Sequence, residues 1–146
     1  MLAATVVEGL INTFISEMCI EKGIESLFEG FQYNSLLNKW TNTPKVFFNN
    51  YELDKRKVLY FTLNELIKHR NSIVHCTGTV TLNKKVVIRS SSVVRKSTEE
   101  EILFLKRCFS LPKKLTEHLL SYMEKENRIG FLLSCGYNKE IETFNT

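Results

Sequence analysis

The sequence predicts a mainly α chain: an antiparallel helical bundle with a small β-hairpin arm after the third helix. Three observations predict it. Apolar residues recur at steps of three and four over residues 2–22, 24–40 and 52–75, the spacing of one helical face. β-branched residues flank a short polar turn at Asn83-Lys84-Lys85. The connections between helical stretches are short, which sets neighbouring helices antiparallel. A length of 146 residues suits one domain with a single core. Within it, 1–78 carries the helices of the motif described below, 79–96 the hairpin and its linker, and 97–146 the C-terminal helices.

Leu2 to Lys22 reads as the first helix. Val6, Leu10, Phe14 and Met18 lie at steps of four, with Val7, Ile11 and Ile15 beside them. Gly23 suits a left-handed helix end. Ile24 to Trp40 reads as the second helix, with Leu27, Phe28, Phe31, Leu36, Leu37 and Trp40 inward and Gly30 as its weak point. Thr41-Asn42-Thr43-Pro44 breaks it, because a residue before proline is pushed out of the helical region. Val46-Phe47-Phe48 forms a packed connector. Glu52 to His75 is the third and longest helix, ended by Cys76-Thr77-Gly78, where Gly78 can take positive φ. Thr79 to Leu82 and Val86 to Ile88 are the hairpin strands, which need a packing surface because two strands alone are marginal in water. Ser97 and Glu100, or Thr98 and Glu101, fit a capping box opening the fourth helix, which runs to about Phe109. Pro112 suits the first turn of a fifth helix that continues to about Glu126. Phe131, Leu132 and Leu133 dock in the tail, and the chain frays from Asn138.

The net charge of +4 permits a nucleic-acid partner without requiring one. No unbroken apolar run reaches the roughly 18 residues of a membrane span. Residues 1–20 carry Glu8, Asn12 and Glu17 and have no basic leading segment, so they read as a core helix, not a signal peptide. Cys19, Cys76, Cys108 and Cys135 lie far apart with no C-x-x-C pair. That disfavours a zinc site and points to reduced thiols in a cytoplasmic protein.

Chemistry concentrates at the end of the third helix. Leu59, Leu63, Leu66 and Ile67 form an apolar stripe that runs into Arg70, and Asn71 and His75 follow. Cleaving RNA needs no metal and no cofactor, because the 2′-hydroxyl is the nucleophile. A protein must move protons and stabilise a phosphorane. Histidine has a suitable pKa, about 6.5 when unperturbed. An arginine fork matches phosphate oxygens and stays charged. An asparagine orients either group. Near the helix C-terminus the dipole favours protonated His75, which suits it to donate. Lys68, His69, Lys84, Lys85 and Arg89 are candidate RNA-backbone contacts.

At Arg70-Asn71-Ser72-Ile73-Val74-His75 the sequence resembles the HEPN superfamily (higher eukaryotes and prokaryotes nucleotide-binding domains). Leu63-x-x-Leu66 and the Ile73-Val74 pair also look like that family. More loosely, so do Glu8-Gly9-Leu10-Ile11-Asn12 and Ser35-Leu36-Leu37-Asn38-Lys39-Trp40. The resemblance covers Leu2 to about Cys76. It implies a helical bundle that pairs through the motif helix, so that two arginines and two histidines line one composite cleft. It also implies metal-independent ribonuclease activity in toxin–antitoxin, abortive-infection or antiviral settings, leaving a cyclic phosphate and a 5′-hydroxyl. RNA, a second copy of the chain and an antitoxin or defence protein are the implied partners, with no membrane. In the subset paired with nucleotidyltransferase antitoxins a tyrosine stands two positions after the histidine. Thr77 stands there in this chain, so silencing by AMPylation is not supported.

Structural readings stand beside these. Arg70 can pair with Glu65 or Glu8 and tie the bundle together. His75 can cap the helix without chemistry. His69 reads as a helper or a solvated side chain, His118 as surface, and Glu65 as a partner of His69 one turn on. The basic residues from Lys84 to Lys114 can be an ordinary solvated face, since no aromatic stacking pattern is interleaved. The alternative function is a non-catalytic HEPN-like module that binds a nucleotide or another protein.

Overall fold

Eight residues of the first twenty-two decide the layout. Ala4, Val7, Leu10, Ile11, Phe14, Ile15, Met18 and Cys19 fall on one helical face and are all buried. They belong to helix α1, Leu2–Lys22, with the bounds the sequence predicts. The computed structural model describes residues 2–74, 80–82, 85–87 and 98–136. Gly23, at φ 66°, ends α1. Its amide donates to the Ile20 carbonyl and the Ile24 amide to Cys19, the two bonds that satisfy a last turn closed by left-handed glycine.

The expected second helix is three pieces. A 3₁₀ turn, Glu25–Leu27, leads into α2, Phe28–Gln32, and α3 covers Leu36–Thr41. Ser35 makes the break. Its backbone is extended, at φ −58° and ψ 151°, and its hydroxyl accepts from the Asn38 amide at 3.3 Å. A serine that caps a new helix competes with continuation of the old one. Thr43–Val46 forms a further 3₁₀ turn around Pro44. Phe47 and Phe48 then pack on Phe14, each with ring centroids 6.0 Å away, whereas Val46, expected to pack with them, is exposed.

The motif helix is shorter than expected at its start. Helix α4 covers Val58–Val74. The Asp54 carboxylate accepts from the Arg56 amide at 2.9 Å and the Asp54 carbonyl from the Lys57 amide at 3.1 Å. This local turn holds residues 54–57 out of the helix. Strands β1, Val80–Leu82, and β2, Lys85–Val87, pair antiparallel with Thr81 opposite Val86. Their turn, at 83–84, and the stretch 88–97 lie outside the described residues.

One helix replaces the expected fourth and fifth. Helix α5 runs through Pro112 from Thr98 to Leu120. Cys108, Leu111, Leu115 and Leu119 are buried on both sides of the proline, so the apolar stripe continues in phase through the missing hydrogen bond. The chain then turns, and α6 covers Lys125–Ser134. In α6 Phe131 and Leu132 are buried, whereas Leu133 is exposed. The expected fraying from Asn138 lies outside the described residues.

The fold is mainly helical. Helix α1 packs on α5 and α6, and α4 packs on α5 and α3. The His69 ring lies 5.8 Å from Phe104, while Leu59 and His118 line one small cavity, so α4 and α5 run antiparallel. Phe14 meets Phe131, and Glu17 accepts from Ser134, so α1 and α6 run the same way. By length and composition α1 could also cross a membrane, but its buried residues form the middle of the hydrophobic core.

Candidate functional site

Helix α4 buries Thr62, Leu63, Leu66 and Ile67. Arg70 is the next residue on that face, three after Ile67, so its side chain is directed along the bundle and not straight into solvent. It meets α1. Arg70 Nη2 lies 3.3 Å from Glu8 Oε2, and the two side chains are 36% and 35% exposed. An ion pair this open contributes about 0–1 kcal/mol. Among the described residues it takes one of the guanidinium's five N–H donors. Of Glu65 and Glu8, the two anions the sequence offers Arg70, Glu8 lies within ion-pair distance.

Asn71 points outward and is exposed. Lys68 and His69 are exposed, and the His69 ring tilts against Phe104. The Ser72 hydroxyl donates to the His69 carbonyl at 2.7 Å, which closes the turn below Asn71. His75, Lys84 and Arg89 lie outside the described residues. Lys85 is the first residue of β2. The described structure therefore joins Arg70, Asn71, Lys68 and His69 at one helix end and leaves the rest of the expected set unplaced.

A second polar contact continues the seam. Lys39 is buried, and its Nζ donates to Asn12 Oδ1 at 2.9 Å. Glu8 and Asn12 are one turn apart on α1. Thus α1 presents a carboxylate to Arg70 and an amide to Lys39, each cation coming from a different helix. The stretches around Glu8 and around Lys39, which only loosely resemble HEPN proteins, meet here. Lys39 was not singled out from sequence, and its neighbourhood in sequence gives no sign of a partner 27 residues away.

A separate cluster surrounds His118. Its ring lies 5.4 Å from Tyr51 and 5.3 Å from Tyr122, and its buried Nε2 has no hydrogen-bond partner among the described residues. His118 is half-buried, not a surface residue as the sequence suggests. Burial is the main cause that pushes its pKa below 6.5; the Glu52 backbone pulls it back and Lys57 adds to the fall. Tyr51 donates to the Trp40 carbonyl at 2.8 Å, and burial pushes its phenol well above the ordinary value. A cleft of about 520 Å³ opens nearby, lined by Asn38, Lys45, Asp54, Arg56 and Tyr60 among others. It lies at the start of α4, remote from Arg70 at the other end. Asp54 is held low by hydrogen bonds from the backbone and side chain of Arg56.

Among the described residues Cys19, Cys108 and Cys135 form no disulfide. Burial pushes Cys135 up to about 11, with Glu17 adding to the shift, and it raises Cys19 as well. Neither Cys19 nor Cys135 is poised as a thiolate nucleophile. No protein-family model matches the chain, and neither a curated protein nor a solved structure does.

Proposed function

We propose that the chain is a metal-independent endoribonuclease of the HEPN type, a cytoplasmic toxin or antiviral defence effector that works as a homodimer. The observation that carries the reading is Arg70 in the last turns of α4, whose Nη2 meets Glu8 among the described residues, with Asn71 exposed beside it. His75 follows one turn after Asn71.

In the proposed reaction the 2′-oxygen attacks phosphorus, and the bond from phosphorus to the 5′-oxygen breaks. One His75 gives its proton to the departing 5′-oxygen, while the partner's His75 takes the proton of the 2′-hydroxyl. Arg70 neutralises the extra charge on the phosphorane, and Asn71 orients the phosphate. The products are a cyclic phosphate and a 5′-hydroxyl. Lys68 and His69 extend the positive edge along the strand. The hairpin, with Lys84, Lys85 and Arg89, forms an arm that follows the RNA backbone or meets an antitoxin or defence partner.

Purified protein is expected to cut single-stranded RNA in EDTA. Arg70→Ala and His75→Ala are each expected to lower the rate at least about 100-fold. A requirement for magnesium, or cleavage that survives both changes, overturns the reading. The Arg70–Glu8 pair favours a second reading, a non-catalytic binding module in which Arg70 is a tether. Glu8→Gln separates the two. A nuclease keeps its cleavage and loses only about 0–1 kcal/mol of stability. For a tether, no variant changes cleavage, and Arg70→Ala and Glu8→Gln lower the melting temperature together.

A further inference from the structure

The cleft between α3 and the start of α4 belongs to no part of the proposed cleavage site. Its volume, about 520 Å³, lies in the range of small-molecule sites. Asn38 and Asn42, one turn apart, line it from the α3 side. Lys45 follows them in the 3₁₀ turn, and Lys55 and Arg56 line it from the turn before α4. Tyr60, half-buried in the first turn of α4, joins Leu37 and Leu53 in supplying the apolar surface.

Hydrogen bonds within the cleft engage its acceptors and leave donors over. Lys45 Nζ donates to Asn42 Oδ1 at 3.5 Å, and Asn42 Nδ2 donates to Asn38 Oδ1. This relay fixes the orientation of both amides, so Asn38 is left presenting its Nδ2 hydrogens. Among the described residues that Nδ2 has no acceptor. Asp54 lines the cleft too, but both its oxygens accept from Arg56. Lys45 and Lys55 make no ion pair among the described residues. The other carboxylate, Glu52, stands where the cleft adjoins the smaller cavity, which Lys57 lines. Beyond the Asp54–Arg56 pair, three lysines therefore stand against one carboxylate, and an amide donor stands with them.

Such a recess complements an anion rich in acceptor oxygens. A carboxylate presents two oxygens, whereas a phosphate ester presents three, enough for an amide and two ammonium groups at once. The recess is several times larger than a phosphate group, and its apolar surface has room for an organic body. We propose that this cleft binds a small phosphomonoester, its phosphate held by Asn38, Lys45 and Lys55 and its organic body against Tyr60. The site uses no residue of the Arg70 motif. Tyr60 and Arg70 lie at opposite ends of α4, about 15 Å apart along its axis. The inference therefore stands without the ribonuclease reading.

The lysines are exposed, so binding is read at low salt, where screening is least. Isothermal titration with phenyl phosphate is expected to find one site with a Kd on the order of 0.1–1 mM. Inorganic phosphate, which lacks the ring, and benzoate, which lacks the third oxygen, are each expected to bind at least about tenfold more weakly. Asn38→Asp keeps the acceptor that Asn42 uses and exchanges the unused donor for a negative charge. It is expected to weaken phenyl phosphate at least about tenfold, as is Lys45→Met combined with Lys55→Met, with helical circular dichroism unchanged in both. Arg70→Ala is expected to bind as the wild type does. No saturable binding, inorganic phosphate or benzoate as tight as phenyl phosphate, binding that survives Asn38→Asp, or binding lost in Arg70→Ala overturns the inference. These measurements contain no RNA, so their failure leaves the ribonuclease reading untouched, and loss of that reading leaves the cleft's ligand in place.

Discussion

His118 packs against two tyrosine rings, and its buried Nε2 has no hydrogen-bond partner among the described residues. Burial of such a ring disfavours its protonated form. Its folded pKa lies below the unfolded value of about 6.5, chiefly through burial, so protons bind the unfolded chain better. The stability contributed by the neutral ring is present above pH 6.5 and is lost as pH falls toward the folded pKa. The groups facing it are Tyr51, Tyr122, the Glu52 backbone and Lys57, and none supplies a compensating carboxylate contact. The melting temperature of the wild type is expected to fall between pH 7.5 and pH 5.5, and that of His118→Phe to fall less. Equal slopes would show that His118 does not titrate against the fold. The ring pair was partly legible in the sequence, since Tyr122 is one turn from His118. Tyr51 was not, because only tertiary packing brings it there. Arg70 shows the same limit: Glu8 was one of two candidate anions, and a separation of 62 positions gives no means of choosing between them.

At the scale of elements, boundaries were readable wherever one local signal acted alone. Helix α1 has an unbroken apolar period and a glycine at its end, and its bounds follow from sequence. The stretch from Ile24 to Trp40 has the same period, but the Ser35 cap restarts the helix inside it. Asp54 likewise delays α4 by a hydrogen-bonded turn. Pro112 misleads in the opposite direction. Proline suits a first turn, yet here it lies inside α5, where the buried stripe on both sides outweighs one lost bond. A proline in a helix interior costs about 3 kcal/mol relative to alanine. Pro112→Ala is therefore expected to raise the urea midpoint, by an amount equivalent to about 1–3 kcal/mol, without moving the helix ends. An unchanged or lower midpoint would mean that the ring's packing outweighs the missing amide.

Across the whole molecule, Phe14 is the point where distant parts of the chain meet. Its ring lies 6.0 Å from Phe47, 6.0 Å from Phe48 and 5.8 Å from Phe131, so α1 holds the connector before α4 and the helix after α5 through one side chain. Trp40 is fully buried, and its carbonyl accepts from Tyr51, whose ring packs against Tyr122 in the turn after α5. The N-terminal and C-terminal helices thus share one hydrophobic cluster. Removing a phenylalanine from such a junction costs about 3–5 kcal/mol, a large part of the 5–15 kcal/mol that holds a typical domain together. Phe14→Ala is expected to lower the urea midpoint by that amount. Trp40, the chain's one tryptophan, reports on the core directly, and circular dichroism reports on all helices at once. If the helices stand or fall together, tryptophan emission and helicity change at the same urea concentration in both proteins. A helical signal that outlasts the tryptophan transition would show that α5 and the motif helix persist without the α1 core, and would detach the site's scaffold from the cluster around Phe14.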